Sequence, residues 1–191
     1  MGKTRTGGIN RMVWELVARR ELFKAVREGD LDSVRNLVGQ GVDLEATYPT
    51  GEKIIHLAVQ TGCSSVVLEL LNSGCDPNSL DDEGSSALHL AAWAGMSGCV
   101  RMLLSSGASH ATMDSEGRFP LHIACRESNA GAVAELLNAG ADASARDAGG
   151  NQPLDMAWGA SKSALEAKAQ MAEMEALFGA AEVAPSRYPS V

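Results

Sequence analysis

Aromatic residues are scarce in this chain of 191 residues, because Phe, Trp and Tyr together make up only 4% of it. Hydrophobic residues nevertheless reach 45%, so a core must be built mainly from Ala, Leu, Val and Met. Aromatic and β-branched residues are the ones enriched in β-strands, whereas small and straight aliphatic side chains suit closely packed helices. The composition therefore favours helix packing over a β-sandwich.

Positive charge and long apolar runs are also lacking. Lys and Arg number 16 against 24 Asp and Glu, which gives a net charge of −8. A nucleic-acid-binding protein normally presents a basic face to the phosphates, so we expect no nucleic-acid partner. No apolar run approaches the roughly 18–20 residues that span a bilayer, so we expect no transmembrane segment.

The four cysteines include no Cys-x-x-Cys pair, and the start MGKTRTGGIN lacks the apolar core of a secretory signal. We therefore predict a reducing, cytoplasmic location. Cys75, Cys99 and Cys125 occupy positions where small buried packing residues are expected. Cys63 lies beside a predicted turn and is the thiol that we expect to be exposed.

Motifs that carry catalytic chemistry are absent from the sequence. We find no Gly-rich phosphate loop, no Ser/His/Asp motif in recognisable context and no HExxH or CxxC signature. The carboxylates of Asp81, Asp82 and Glu83 cluster, but they lie in a predicted turn, where a solvated Asp-rich loop is expected. We expect neither an enzymatic activity nor a bound cofactor.

The sequence does contain a repeat with a period of 33 residues, seen in glycines at positions 51, 84, 117 and 150. These glycines open the phrases GEKIIHLA, GSSALHLAA, GRFPLHIAC and GNQPLDMAW. A second phrase recurs as VVLELLNSG at 66–74, CVRMLLSSG at 99–107 and AVAELLNAG at 132–140, and VRNLVGQG at 34–41 marks one earlier unit. Each unit predicts a short helix, a turn, an amphipathic helix and a Gly-terminated loop. Such a small pair cannot bury its apolar face alone, so neighbouring units must stack.

These phrases resemble the ankyrin family, whose repeat has about 33 residues and begins T-P-L-H-x-A. The match is best in ALHLAA at 87–92 and PLHIA at 120–124, and it extends over roughly residues 15–158. The resemblance implies an all-α repeat solenoid of ankyrin-type helix-turn-helix units with short β-hairpin-like turns between them.

The two ends of the array depart from the family pattern, with ELFK at 21–24 and PLD at 153–155 in place of T-P-L-H. Terminal repeats face water on one side and are usually atypical caps. We predict a basic N-terminal segment and capping helix at 1–17, an array at 18–158 and a C-terminal tail at 180–191. The units are predicted near 18–50, 51–83, 84–116, 117–149 and 150–179, the last being the C-terminal cap.

A helix is predicted to cover each end of the stack. At the N-terminal end, Asn10 is the expected N-cap, and the apolar stripe that covers the first repeat consists of Met12, Val13, Leu16 and Val17. At the other end, Ser161 is the expected N-cap of a long helix that continues to Phe178. The residues expected to seal that end are Leu165, Met171, Met174, Leu177 and Phe178.

Three histidines, His56, His89 and His122, keep the register of the repeat. Neighbouring repeats lie on the order of 10 Å apart by helix packing distances, whereas the ligands of one zinc ion lie about 2.0–2.1 Å from it. The histidines therefore cannot share an ion, and we predict no metal site. Each imidazole is expected to hydrogen-bond backbone groups within and between repeats.

The resemblance also implies where a partner protein binds, at the turn tips and the exposed face of the first helix of each unit. Trp93 stands out because interface hot spots are enriched in Trp, Tyr and Arg. The alternative is that its ring packs over a neighbouring helix. We expect an apolar centre with an acidic side and an arginine side. The predicted partner-binding residues are Leu80, Asp82, Glu83, Trp93, Met113, Arg118, Arg126 and Arg146.

The predicted function is that of a non-catalytic protein-protein interaction module. The sequence leaves open whether it is a transient adaptor or a structural subunit of a larger assembly. An alternative hypothesis is an N-myristoylated, membrane-tethered adaptor, because MGKTRT fits the pattern M-G-x-x-x-[ST] with Gly2 as the acylation site. Nearby basic residues would then add a weak attraction to an acidic membrane.

Overall fold

A computed structural model describes the backbone of residues 6–182 and the side chains of residues 11–171. Ten helices and no strands occupy this part of the chain. The helices are α1 (Thr6–Glu28), α2 (Leu31–Gly39), α3 (Ile54–Gln60), α4 (Ser64–Asn72), α5 (Ala87–Trp93), α6 (Ser97–Ser105), α7 (Pro120–Arg126), α8 (Ala130–Asn138), α9 (Pro153–Met156) and α10 (Gly159–Glu182). The helices from α1 to α8 form consecutive pairs, and α9 and α10 pack on the last of these pairs, which confirms the predicted all-α repeat solenoid.

The helix pairs form where the apolar residues of the two repeated phrases fall. The first helices α3, α5 and α7 are almost wholly buried, and α7 begins with Pro120, whose missing N–H is not needed at a helix start. The second helices bury one stripe, such as Val66, Val67 and Leu70 in α4. Beyond the ends of α4, α6 and α8 lie glycines 74, 107 and 140, with φ values of 90°, 92° and 91° that an L side chain rarely adopts.

The pairs stack into two rows with one continuous core between them. The first helices α1, α3, α5, α7 and α9 contact one another in sequence, and the second helices from α2 to α10 do the same. Buried aliphatic side chains extend through the stack from Ala18 to Leu165. The core therefore depends on contacts between neighbouring units, as expected of a repeat protein.

Short hairpin-like turns connect the pairs at the same register. The backbone N–H of Asp81 donates to the carbonyl of Ser85 (3.0 Å), and that of Asp114 donates to Arg118 (3.0 Å). The one isolated β-bridge in the described residues pairs Leu80 with Ser86. Successive turns are also joined, because the N–H of Ser115 donates to the carbonyl of Glu83 (3.3 Å). We call these segments, around 47–52, 80–85, 113–118 and 146–151, the inter-repeat turns.

The structure corrects the prediction for the N-terminal end. Instead of a separate capping helix, α1 runs unbroken from Thr6 to Glu28, so it is about 34 Å long against about 14 Å for α2. Its first half therefore extends past the helix on which it packs, and among the described side chains from residue 11 onward contact with the core begins at Ala18. The predicted covering stripe is exposed: Met12 75%, Val13 55%, Leu16 71% and Val17 52%.

The C-terminal pair also differs from the prediction. The helix α10 begins at Gly159, and Ser161 lies inside its first turn, where the hydroxyl donates to the carbonyl of Trp158 (2.8 Å). Leu165 is buried against the core as expected, whereas Met171 is exposed and seals nothing. The side chains of Met174, Leu177 and Phe178 lie outside the described residues.

Within residues 6–182, no helix combines the length and the apolar character that crossing a bilayer requires.

Candidate protein-binding groove

A groove of about 660 Å³ opens between the inter-repeat turns and the exposed ends of α3, α5 and α7. Its acidic lining residues are Glu52, Asp81, Asp82 and Glu83, and its basic ones are Arg118 and Arg126. Its apolar lining includes Val59, Leu90, Trp93, Met96 and Ile123. We call this feature the concave groove.

Aspartates hold the turns that form one wall of the groove. The Oδ1 atom of Asp81 accepts hydrogen bonds from the N–H groups of Glu83 (3.0 Å) and Ser85 (2.8 Å). Asp114 repeats the arrangement in the next turn, with the N–H groups of Glu116 (3.0 Å) and Arg118 (2.9 Å). Because each donor lies two or four residues after its aspartate, each of these two turns is stabilised by hydrogen bonds within itself.

The three histidines connect the first helices to the following turns. The Nε2 atoms of His56, His89 and His122 lie 2.9, 3.1 and 3.0 Å from the carbonyl oxygens of Ser85, Arg118 and Asn151. A carbonyl can only accept, so each imidazole donates from Nε2. Burial lowers the pKa of His89, which favours the neutral ring. The prediction that these histidines hydrogen-bond backbone groups between repeats is confirmed.

Trp93 is the last residue of α5, and 61% of its surface is exposed to solvent. The alternative reading, in which the ring packs over a neighbouring helix, does not fit that exposure. Its backbone is held instead, because Nδ2 of Asn129 donates to the carbonyl oxygens of Ala92 and Trp93, both at 2.9 Å. The ring thus borders the groove, and Asn129 fixes the backbone from which it projects.

The two arginines of the lining are already paired within the protein. The Nη2 atom of Arg118 lies 2.8 Å from Oδ2 of Asp114, and its Nη1 lies 2.7 Å from a carboxylate oxygen of Glu116. Only 18% of the Arg118 side chain is exposed. Burial raises the pKa of Asp114, but the hydrogen bonds and charge of Arg118 outweigh it and the pKa lies below its usual value. Arg126 pairs with Glu127 at 3.0 Å.

The acidic side of the groove is different. Within the described residues, the carboxylates of Asp82 and Glu83 form no ion pair. The Asp82 carboxylate lies against Gly51, where an added Cβ would overlap it. The apolar residues Leu80, Trp93 and Met113 and the acidic Asp82 and Glu83 of the predicted face are therefore exposed to solvent, whereas the guanidinium of Arg118 is mostly buried and paired.

Five of the eight predicted residues line the groove, namely Asp82, Glu83, Trp93, Arg118 and Arg126. Leu80 and Met113 are 42% and 50% exposed on the inter-repeat turns but are not part of the lining. Arg146 lies on the last turn, where its Nη1 donates to the carbonyl of Gly150 (2.6 Å). The proposed acylation site Gly2 lies outside the described residues.

Comparison with protein families finds matches along the same part of the chain. The family described as ankyrin repeats in three copies matches residues 22–114, and the one described as ankyrin repeats in many copies matches residues 103–157. The chain belongs to the ankyrin-repeat family. Ankyrin repeats are generally protein-protein interaction modules, and domains built from them are typically non-catalytic. A comparison with curated proteins finds no match.

Two groups that support the groove of this ankyrin-repeat protein were missed by the sequence analysis. Asn129 occupies a position where the preceding units have Cys63 and Met96, and the amide alone can donate to the end of α5. Trp158 is 66% exposed, and its Nε1 donates to the carbonyl of Arg126 (3.1 Å). Trp158 departs from the small or aliphatic residues Val59, Ala92 and Cys125 at its position, which was the available signal, whereas the position of Asn129 varies from unit to unit and gave none.

Three of the four thiols in the ankyrin repeats are packing groups of the core. Cys75, Cys99 and Cys125 are buried, as expected, and Cys63 is half-buried. Burial raises the pKa of Cys125 to about 12 and also raises the pKa values of Cys75 and Cys99. Nowhere in the described part of the chain do three or more His, Cys, Asp or Glu residues form a group that could hold a metal ion.

Proposed function

We propose that this ankyrin-repeat protein is an adaptor or structural subunit that binds a partner protein through its concave groove. The observation that carries the proposal is the combination at Trp93 of an exposed ring and a fixed backbone. Exposed tryptophans near the middle of a concave apolar patch are the type of residue that dominates binding energy at interfaces. The half-buried Leu90 and the buried Ile123 extend the apolar surface around it.

The rigidity of the surrounding turns supports the same proposal. Asp81 and Asp114 each accept backbone hydrogen bonds within their own turns, and His89 connects α5 to the turn that contains Arg118. A surface that is ordered before binding loses little conformational entropy when a partner arrives. Such a groove is suited to a defined segment of one partner.

The chemistry of the lining favours a protein over a nucleic acid as the partner. Four carboxylates line the groove, and the two arginines that also line it are paired with Asp114, Glu116 and Glu127. A phosphate backbone would be repelled by such a surface. The sequence-based expectation of a protein partner is therefore supported by the distribution of charge.

We further propose that the terminal pairs act as the caps of the array, with boundaries near residues 18 and 158. Among the described side chains burial begins at Ala18, which supports the first boundary, and the buried Leu165 of α10 supports a C-terminal cap that continues past the second. The four cysteines are free thiols, which supports a reducing location for the protein.

Site-specific photocrosslinking tests the groove directly. Replacing Trp93 by a photocrosslinking amino acid should capture the partner from the native source, whereas the same replacement at Leu68 should not. Leu68 is the matched control because it is also apolar and exposed (44%) but lies on the second helix α4, outside the groove lining.

The captured partner then allows the affinity to be measured with purified proteins. We expect Trp93→Ala to weaken binding by about 30-fold, the size of a hot-spot truncation of about 2 kcal/mol. Leu68→Ala should leave the affinity unchanged. If Leu68→Ala abolishes binding and Trp93→Ala does not, the concave groove is the wrong surface. Retention of one stoichiometric partner through salt washing and sizing would indicate a permanent subunit, and its loss a transient adaptor.

A further inference from the structure

We infer that the concave groove takes a basic segment of its partner, with a Lys or Arg side chain lying on the exposed ring of Trp93. This inference rests on the proposed function, because it specifies the chemistry of what the same groove binds. The sequence predicted an acidic side and an arginine side for this face. In the structure the arginines are paired within the protein, so the two sides do not offer equal charge to a partner.

The groove lining has an excess of negative charge that the fold does not neutralise. Four carboxylates and two guanidinium groups line it. Both guanidinium groups pair with carboxylates outside the lining, Arg118 with Asp114 and Glu116, and Arg126 with Glu127. The two positive charges of the groove are thus neutralised by carboxylates of the same protein.

The carboxylates of the lining, in contrast, contact neutral groups. Glu52 accepts a hydrogen bond from the side-chain amide of Gln60 (2.5 Å), and Asp81 accepts from the backbone N–H of Ser85 (2.8 Å). Neutral donors orient a carboxylate but leave its charge in place. Asp82 and Glu83 are exposed and, among the described side chains, have no cationic partner.

The position of Trp93 favours a cation on a long stem. An ammonium or guanidinium group is attracted to the face of an indole ring, and its aliphatic stem can cover apolar surface. Leu90 and Met96, both half-buried, supply that apolar surface in the lining. The carboxylates of the inter-repeat turns border the same groove, so one side chain can satisfy both features. Electrostatic complementarity of this kind selects a partner by charge.

Selection from a random peptide library displayed on phage tests the inference without knowledge of the natural partner. The bait is the full chain, and each enriched peptide is synthesised and measured by fluorescence anisotropy against wild type and variants. We expect the enriched peptides to contain Lys or Arg and to lose about tenfold or more in affinity on Trp93→Ala.

The acidic side is tested by the double variant D82N/E83Q, which keeps the size of both side chains. We expect it to weaken the same peptides by about tenfold at low salt and by less at high salt. The matched control is E28Q/E166Q, which removes the same charge from two exposed residues outside the groove lining and should change affinity by less than about twofold. Circular dichroism of each variant verifies that it is folded.

The outcomes separate this inference from the proposed function. Peptides that depend on Trp93 but lack basic residues, or that bind D82N/E83Q as tightly as wild type, would overturn the basic segment and leave the groove in place. Basic peptides that bind Trp93→Ala normally would overturn the groove itself. A selection with no enrichment over one performed on Trp93→Ala would count against both.

Discussion

The side-chain amide of Asn129 donates to the backbone carbonyl of Trp93 across 2.9 Å and across 36 positions of sequence. The same Nδ2 reaches the carbonyl of Ala92, also at 2.9 Å. The last carbonyls of a helix have no partner inside it, so a donor from the next unit completes the end of α5. Asn129 therefore contributes to the stability of the stack and also fixes the position of the exposed Trp93 ring.

Replacing Asn129 by Ala removes both hydrogen bonds. We expect the free energy of unfolding to fall by about 1–2 kcal/mol, because the carbonyl of Trp93 loses its side-chain donor and that of Ala92 keeps only the 3.4 Å bond from the N–H of Gly95. Peptides selected on the groove should also bind more weakly to Asn129→Ala. Urea denaturation measures the first effect, and Asn138→Ala, at an exposed position near the end of α8, is the control. Equal effects of the two substitutions would contradict the role assigned to Asn129.

Ser128 has a positive φ of 56°, and it is the only non-glycine residue with such a φ in the part of the chain that the structure describes. The equivalent positions of the earlier units are Gly29, Gly62 and Gly95, with φ values of 70°, 71° and 68°. A side chain in this region costs about 1–2 kcal/mol. We therefore expect Ser128→Gly to raise the free energy of unfolding by about 0.5–1 kcal/mol, less than the full cost because glycine gains freedom in the unfolded chain.

The reciprocal change gives the control for this prediction. Gly95→Ala introduces a side chain at φ 68°, and its Cβ would lie 2.7 Å from Oδ1 of Asn129. It should lower the midpoint of urea denaturation, whereas Ser128→Gly should raise it. A midpoint that falls with Ser128→Gly would mean that the Ser128 hydroxyl, 3.4 Å from the carbonyl of Trp158, is more important than the backbone strain.

Acid should destabilise the array because it protonates the aspartates that accept hydrogen bonds in the inter-repeat turns. The pKa of Asp114 lies below its usual value because Arg118 outweighs the effect of burial, and a hydrogen bond from Asn151 lowers the pKa of Asp147. A carboxyl whose pKa is lower in the folded state stabilises that state above its unfolded pKa, about 3.9 for Asp. This contribution is lost as the pH falls through the lower, folded-state pKa.

Thermal melting measured from neutral to acidic pH checks whether the stability falls with pH as predicted. We expect a nearly constant contribution from these groups above about pH 5 and a steep loss below about pH 4. Asp114→Asn should lower the free energy of unfolding at neutral pH by about 2 kcal/mol and shrink the loss in acid. If Asp114→Asn is less stable than wild type by the same amount at neutral and at acidic pH, the charge of Asp114 is not involved.

The four thiols should differ in their rate of alkylation. Only the thiolate reacts, and burial raises the pKa values of the Cys75, Cys99 and Cys125 thiols. In native protein we expect one fast-reacting thiol, that of the half-buried Cys63, and three that react only on unfolding. Mass spectrometry after iodoacetamide treatment counts the labels. The substitution Cys63→Ser should remove the fast reaction, and a fast label elsewhere would contradict the assignment.

The exposed apolar stripe of α1 is predicted to tolerate polar substitutions. Leu16 is 71% exposed, so Leu16→Gln should change the free energy of unfolding by less than about 0.5 kcal/mol. Leu22, six residues later on the same helix, is fully buried, and Leu22→Ala should cost about 2–5 kcal/mol. Urea denaturation of both variants separates the two halves of α1. A large loss on Leu16→Gln would restore the predicted covering role of the stripe.

The repeat made most of the fold predictable from the sequence. The period of the leucines and glycines identified the buried faces and the helix ends, because both depend on residues within one unit. The role of His89 could also be inferred, since a polar group in a buried register position must find a partner. The ends were less predictable, because the length of α1 beyond the stack depends on where its neighbour α2 stops.

The sequence by itself determined that this protein is a stack of helix pairs, because the same local pattern recurs and each pair needs its neighbours to bury its apolar face. The tertiary structure alone decided which charges of the groove are free. Arg118 could have faced a partner, but in the folded turn it meets Asp114 and Glu116, and Trp93 is held by an amide from the next unit. Hydrophobic burial follows from composition and period, whereas ion pairs and hydrogen bonds require particular atoms to meet at about 3 Å, which depends on how each turn folds and on how neighbouring units pack.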